Sequence, residues 1–416
     1  MNKTGKKALS LAVAGAFASP AAALAQGSSV QIFGTMYVEY AYIHQGQIAT
    51  GGDLVNADIL QTPNSEIGIR GQEQLGGGVT AWFQCASTAD VRGPGTNAFP
   101  NGVFCGRNSA IGLKGSWGNV FAGNWDSPMR RTQAAVRIVN DLGIFGVTPM
   151  LFGATSPPLS AGPTQVTLDS TFNGGSGQFS RRVNNSLSYE SPVWQGVQVF
   201  AMVSAQSAAT GTSNNASAGK PRLWSIAANY TNGPLLLTAA YEVHQNFNTG
   251  SPVALPPFPY QGTDTGWQIG AAYQAGPVKV GGLYTYQSYD LGTFGGLLPA
   301  QDLKVSAWNL AAEWAIQGPH ALRGAYTKAN DTKGNSILGF TNGLFNRNAN
   351  GGAGNTGAHQ WQIQYVYNAS KRTELAAGYI RLQNDTLGGY YLDGGTNFTA
   401  LGINQDAFAV SMKHSF

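Results

Sequence analysis

Charge is what this 416-residue sequence has least of. Only 11% of its residues are Asp, Glu, Lys or Arg, where a globular protein carries about 25%. So little charge cannot keep a surface soluble unless something other than water covers it, which weighs against a cytosolic enzyme. Long apolar runs are also missing. After residue 25 the longest, roughly 142–154, is broken by Pro149 and falls short of the ~20 residues a spanning helix needs. There are two cysteines, Cys85 and Cys105, and no C-x-x-C motif. The five histidines (His44, His244, His320, His359 and His414) stand at no metal-ligand spacing, and H-E-x-x-H is absent. Glycine-rich pieces at 174–177 and 351–354 lack the lysine of a phosphate loop and read as loop tips. The sequence thus predicts no metal, no cofactor and no catalytic residue.

What is present begins with a leader. Lys3, Lys6 and Lys7 precede a small-residue apolar stretch from Leu9 to Ala18, and Ala23-Leu24-Ala25 supplies a cleavage site before Gln26. Residues 1–25 are predicted to be a removable export signal and 26–416 the folded body. Taking the three leader lysines from 24 basic residues leaves 21 against 20 acidic ones. No basic stripe remains to bind nucleic acid. Disorder is excluded by 17 Tyr, 19 Phe and 9 Trp. For an exported, charge-poor, aromatic-rich chain without spanning helices, the membrane solution left is a closed β-barrel, because closure satisfies every backbone N–H and C=O.

The period-2 pattern agrees. Trp267, Ile269, Ala271 and Tyr273 alternate with Gln268, Gly270 and Gln274, and Trp361, Ile363, Tyr365 and Tyr367 alternate with Gln360, Gln362 and Gln364. Seven short turns are predicted, at 75–78, 116–118, 192–196, 232–234, 275–277, 317–319 and 368–371. They alternate with eight longer stretches near 44–62, 89–104, 126–180, 207–220, 247–264, 289–301, 331–357 and 386–404. That arrangement predicts an all-β fold, a sixteen-stranded antiparallel transmembrane barrel with turns at one rim and loops at the other. Trp117, Trp194, Tyr230, Tyr273 and Tyr367 lie beside the turns, where an aromatic girdle belongs.

These residues resemble the trimeric general porins of Gram-negative bacteria, the sixteen-stranded type of β-proteobacteria. The resemblance spans the whole body. Its most specific pieces are Ser65-Glu-Ile-Gly-Ile-Arg-Gly-Gln-Glu-Gln-Leu-Gly-Gly-Gly78, Arg107-Asn-Ser-Ala-Ile-Gly-Leu-Lys-Gly115, Arg182-Val-Asn-Asn-Ser-Leu-Ser-Tyr-Glu-Ser-Pro192 and Ala409-Val-Ser-Met-Lys-His-Ser-Phe416. It implies a homotrimer in the outer membrane, embedded in its lipid and passing small hydrophilic solutes and ions. It also implies delivery by the barrel-assembly machinery, with Phe416 ending the assembly signal. Finally, it implies an inward-folded third loop that faces wall arginines Arg70, Arg107 and Arg182 at a constriction.

Alternation places Glu66, Gly68 and Arg70 inward, and Arg182, Asn184, Ser186, Ser188 and Glu190 likewise. Strict alternation would put Arg107 on the lipid face with Ile111 and Leu113, close enough to a loop for the rule to fail. In the third loop, Asp126, Arg130, Arg131, Arg137 and Asp141 precede the apolar segment 144–152, which needs somewhere dry to go. These charges are expected to line the narrowest point, with a mild anion preference; a solvated outer face is the alternative. Cys85 and Cys105 flank a loop between adjacent strands of an exported chain and are expected to form a disulfide, with two separate lipid-facing thiols as the alternative. A solute-selective anion channel, a surface adhesin and a barrel hydrolase are the competing functions. For the hydrolase, the nearest candidate pair is Glu242 with His244.

Overall fold

Hydrogen-bonded antiparallel strands make up nearly all of the regular structure. The computed structural model describes residues 29–46, 55–92, 104–140, 142–152, 179–204, 222–245, 262–292, 301–334, 354–392 and 402–416. The predicted signal, 1–25, lies outside them. The strands are β1 (Ser29–Gln45), β2 (Ala57–Gln61), β3 (Glu66–Gly76), β4 (Val79–Thr88), β5 (Ser109–Gly115), β6 (Gly118–Asp126), β7 (Arg182–Glu190), β8 (Val197–Ser204) and β9 (Arg222–Asn232). They continue with β10 (Leu235–Gln245), β11 (Thr263–Ala275), β12 (Val278–Gly292), β13 (Gln301–Ala315), β14 (His320–Ala329), β15 (Ala358–Asn368), β16 (Thr373–Asn384) and β17 (Gln405–Ser415). Two helices, α1 (Pro128–Val136) and α2 (Thr148–Phe152), interrupt the series between β6 and β7.

From β3 onward each strand pairs with the next, and β17 pairs back onto β1 from Thr35↔Ser415 to Gln45↔Gln405. β2 and β3 both pair with β1, one above the other, so the seventeen segments form sixteen staves of a closed ring. The stretch read as loop 44–62 therefore already contains a strand. Short connections fall at all seven predicted positions. Gly233 and Gly276 show why: each takes a positive φ (54° and 57°) and is followed by Pro234 or Pro277. The proline has no N–H to offer, while its carbonyl accepts from Gln274 or Ala315 across the next hairpin. Ile269, Trp361, Ile363, Phe408 and Val410 stand exposed on the outer wall, as lipid contact requires.

The described part of the third loop, 127–140 and 142–152, packs against the inner face of the wall. On the face opposite Trp267 and Ile269, the Gln268 amide donates to the Met129 carbonyl at 2.7 Å and to the Thr132 hydroxyl at 2.8 Å. Thr285 and Gln287 donate to the Leu151 carbonyl at 3.1 and 2.8 Å. Gln362 and Gln360 reach the carbonyls of Phe145 and Gly146 at 3.1 and 3.2 Å. Glutamine thus recurs on inner rows because a long amide can satisfy loop backbone that has left water. Ile144, Phe145, Met150, Leu151 and Phe152 are buried, each contributing about 1.5–3 kcal/mol. Helix α1 starts at Pro128 under an Ser127 cap whose hydroxyl accepts from the Arg130 N–H. It comes close to the wall because Gly270 and Gly281 have no side chain to hold it off.

Candidate functional site

Five of the charges singled out in the sequence meet where α1 leaves the wall. Asp126 ends β6, and its Oδ1 lies 3.2 Å from both the Arg130 Nε and an Arg182 terminal nitrogen. Asn108 organises the group: its amide donates to Asp126 Oδ2 at 2.8 Å, and its carbonyl oxygen accepts from the Arg182 Nε at 2.7 Å and the Asp126 N–H at 3.0 Å. Beside them the Arg107 Nε contacts Glu66 Oε2 at 2.7 Å. All five side chains keep some water contact, between 16 and 29% exposed. Among the described residues, three guanidinium groups thus face two carboxylates, an excess of one positive charge.

Two alternation rules fail here, each for a visible reason. Arg107 precedes β5 and follows Cys105, whose φ of 60° turns the chain, so the lipid-facing parity of Ile111 does not extend to it. In β7 a register shift opposite Gly123–Trp125, with Asn185 at φ 51°, moves the inward position from Asn184 to Val183. Val183 is fully buried, packing with Trp125, Met202 and Leu223.

Cys85 and Cys105 are bonded, Cα to Cα 4.7 Å, and the Ser87 hydroxyl accepts from the Cys105 N–H at 3.0 Å. The bridge lies two residues from Arg107. Closing a loop of 20 residues contributes about 3 kcal/mol in the chain-entropy model. Thiol labelling of the unfolded, unreduced protein is expected to find no reactive cysteine; two would show that the bridge does not form.

The other predicted residues are elsewhere. Arg70 lies nearer the turns, its Nε on Gln31 Oε1 at 3.2 Å and its guanidinium 5.0 Å from the Phe33 ring. Arg131 leaves that group, pairing with Glu190 at 2.6 Å over Phe200. Arg137, at the C-cap, lines a polar cavity with Thr35, Asn140, Arg323, Glu374 and Lys413. Asp141 lies outside the described residues. Phe416 continues the closing seam: its N–H and carbonyl bond to Gly34 at 3.0 and 3.2 Å.

Sequence reasoning missed Glu39. This carboxylate is fully buried and accepts from the Tyr37 hydroxyl, the Gln61 amide and the Ile144 N–H, each at 2.6 Å. It ties the third loop at Ile144 to β1. The available signal was an acid on an inward row that is otherwise Tyr37, Ala41 and Ile43.

Glu242 and His244 do meet, at 2.9 Å, but both side chains are fully buried. The Phe179 ring stacks on the imidazole with centroids 4.2 Å apart. A pair sealed in this way presents no face to a substrate.

A family model described as Gram-negative porin matches residues 8–387. The chain is 26% identical to outer membrane porin protein 32 of Delftia acidovorans, over 99% of each. Its fold is similar to that of an anion-selective porin from Comamonas acidovorans, with a TM-score of 0.64 and 22% identity, covering 94% of this chain and 100% of that one. It is also similar to OmpT of Vibrio cholerae in a trimer form, with a TM-score of 0.59 and 13% identity over 94% and 100%.

Proposed function

The chain belongs to the Gram-negative porin family, outer-membrane barrels that let small hydrophilic solutes diffuse passively, and we propose that it favours anions through the charges at the root of its third loop. The observation that carries this reading is the cluster in which, among the described residues, Arg107, Arg130 and Arg182 face Glu66 and Asp126. Arg70 adds a further positive charge towards the turns. Charges in a narrow passage with low-dielectric walls focus their field on the ion path. A unit charge about 8 Å from that path contributes about 0.5 kcal/mol in water, a factor of about 2 in local ion occupancy. The anion-selective porin of Comamonas is consistent with the same sign.

The test is the reversal potential across a bilayer under a KCl gradient. Anion preference is expected, strongest at low salt because screening shortens to ~8 Å at physiological ionic strength. Arg182→Ala and Arg70→Ala should each lower the preference by about twofold. Glu66→Ala, which leaves Arg107 unopposed, should raise it. Cation preference in the wild type, or indifference to all three changes, would contradict the proposal while leaving the porin assignment intact.

The same reading includes removal of residues 1–25, passage without chemical turnover, delivery by the barrel-assembly machinery through the strand ending in Phe416, and assembly as a homotrimer in outer-membrane lipid. The trimer form of OmpT supports the last. A trimer should survive cold detergent and dissociate only on boiling; a monomer-sized band without heating would argue against it.

A further inference from the structure

A neutral side chain, Asn108, stands at the centre of the charged cluster. The pairing of β5 with β6 begins at Ser109↔Asn124, while β6 runs on to Asp126. Residues 106–108 therefore approach the wall without that ladder, and side-chain amides hold them instead. Asn124 donates to the carbonyls of Gly106 and Arg107 at 3.0 and 3.1 Å, and Gln84 donates to the Asn108 carbonyl at 2.8 Å. The Asn108 side chain is thereby aimed at the end of β6. Its oxygen accepts from the Asp126 N–H at 3.0 Å, in place of a strand partner.

Both ends of that amide are engaged with charge. Its NH2 donates to Asp126 Oδ2 at 2.8 Å, and its oxygen also accepts from the Arg182 Nε at 2.7 Å. Arg130 and Arg182 approach Asp126 at the other oxygen, Oδ1, 3.2 Å from each, and that oxygen completes no hydrogen bond with either. An arginine and a carboxylate side by side commonly close a fork of two parallel bonds. Here two atoms that such a fork would use, the Arg182 Nε and Asp126 Oδ2, are both held by Asn108. Arg182 has no further ion-pair or hydrogen-bond partner among the described residues, and its side chain is 19% exposed. Glu66 does not neutralise it by contact, being engaged by the Arg107 Nε at 2.7 Å.

We propose, building on the anion-preferring reading of this cluster, that Asn108 is a positioning residue for selectivity. It holds Arg182 and Asp126 short of mutual neutralisation, so that Arg182 presents charge and N–H groups to a passing anion. The amide suits the task because one planar group offers a donor to Oδ2 and an acceptor to Nε. Leucine has a similar shape and neither group, and would let Asp126 and Arg182 close their fork. Aspartate would set a second carboxylate against Oδ2 and take the Arg182 fork itself.

The experiment compares reversal potentials under a KCl gradient for the full-length protein and its variants, each checked for an assembled barrel by heat-dependent mobility. N108L removes no charge, yet it should lower the anion preference by about twofold, as much as Arg182→Ala does. Added to Arg182→Ala it should change nothing more, because two substitutions that act through one contact do not sum. N108D should shift the potential further toward cations than N108L. If N108L assembles poorly, the isosteric N108D carries the comparison: its shift should be smaller beside Arg182→Ala than alone. These shifts are expected whatever the sign of the wild-type preference. A cation-preferring wild type would therefore overturn the anion reading alone. An unchanged potential in N108L, or full additivity of the Asn108 and Arg182 substitutions, would overturn the role of Asn108.

Discussion

Replacing Glu39 by alanine is expected to release the third loop while leaving the barrel assembled. The carboxylate satisfies the Tyr37 hydroxyl, the Gln61 amide and the Ile144 N–H in a place closed to solvent. Removing it strands three donors, each at a cost of about 1–3 kcal/mol. Detachment of the segment around Ile144 is the cheapest relief, since the ring of strand pairings closes without Glu39's side chain. The exposed loop would then offer trypsin the bonds after Arg130, Arg131 and Arg137. If detachment relieves about 3 kcal/mol, the open population and the cleavage rate rise about a hundredfold. Limited proteolysis reads the effect, with heat-dependent electrophoretic mobility as the check that the barrel has formed. Cleavage as slow as in the wild type would mean that the glutamine contacts on β11, β12 and β15 suffice.

The second large effect is expected at Gly281. A Cβ there would lie 2.6 Å from the Val136 carbonyl and 3.1 Å from the Ile138 side chain, so Gly281→Val must push the end of α1 off the wall. The wall is held by its ladders, so the helix moves, and it moves into the passage. Overpacking of this kind commonly costs about 1–3 kcal/mol, and here the more telling result is geometric. Single-channel conductance should fall by about twofold, because the narrowest section sets it. Gly324→Ala is the control: its Cβ would meet only the Gln362 carbonyl, at 3.6 Å. Equal conductance in wild type and Gly281→Val would show that α1 does not border the passage.

Much of this architecture is legible in the sequence because a barrel obeys two local rules. Side chains alternate in the pleat, and a turn of two to five residues needs glycine, proline or asparagine. Those rules find the seven short connections, the outward face of β11 and β15, and the apolar segment 144–152 that had to be buried. They fail where the backbone leaves the pleat. Arg107 and Val183 are misplaced by strict counting, one beyond a turn and the other beyond a bulge. They also cannot see across the barrel. Nothing local to Asn108 announces that it organises Asp126 and Arg182, and Glu39 finds Ile144 only after 105 intervening steps of chain. Arg70 shows the converse: it lies on the expected face, but among the described residues its partners are Gln31 and Phe33.

The break between β2 and β3 does more than divide a stave. In β2 the odd-numbered residues face inward, and in β3 the even-numbered ones do, with Gln61 and Glu66 both on the inner side. The pairing with β1 shifts by one residue between Glu39↔Gln61 and Thr35↔Glu66. At the break, the Ser65 hydroxyl accepts from the Tyr37 N–H and donates to the Tyr37 carbonyl, both at 2.9 Å, standing in for a strand partner. A one-residue insertion or deletion elsewhere in a wall would turn every later side chain of that strand inside out. Here the reading frame of the pleat is reset within four residues. The stave can therefore gain or lose a residue in evolution without exchanging its lipid face for its water face, a freedom otherwise confined to the loops.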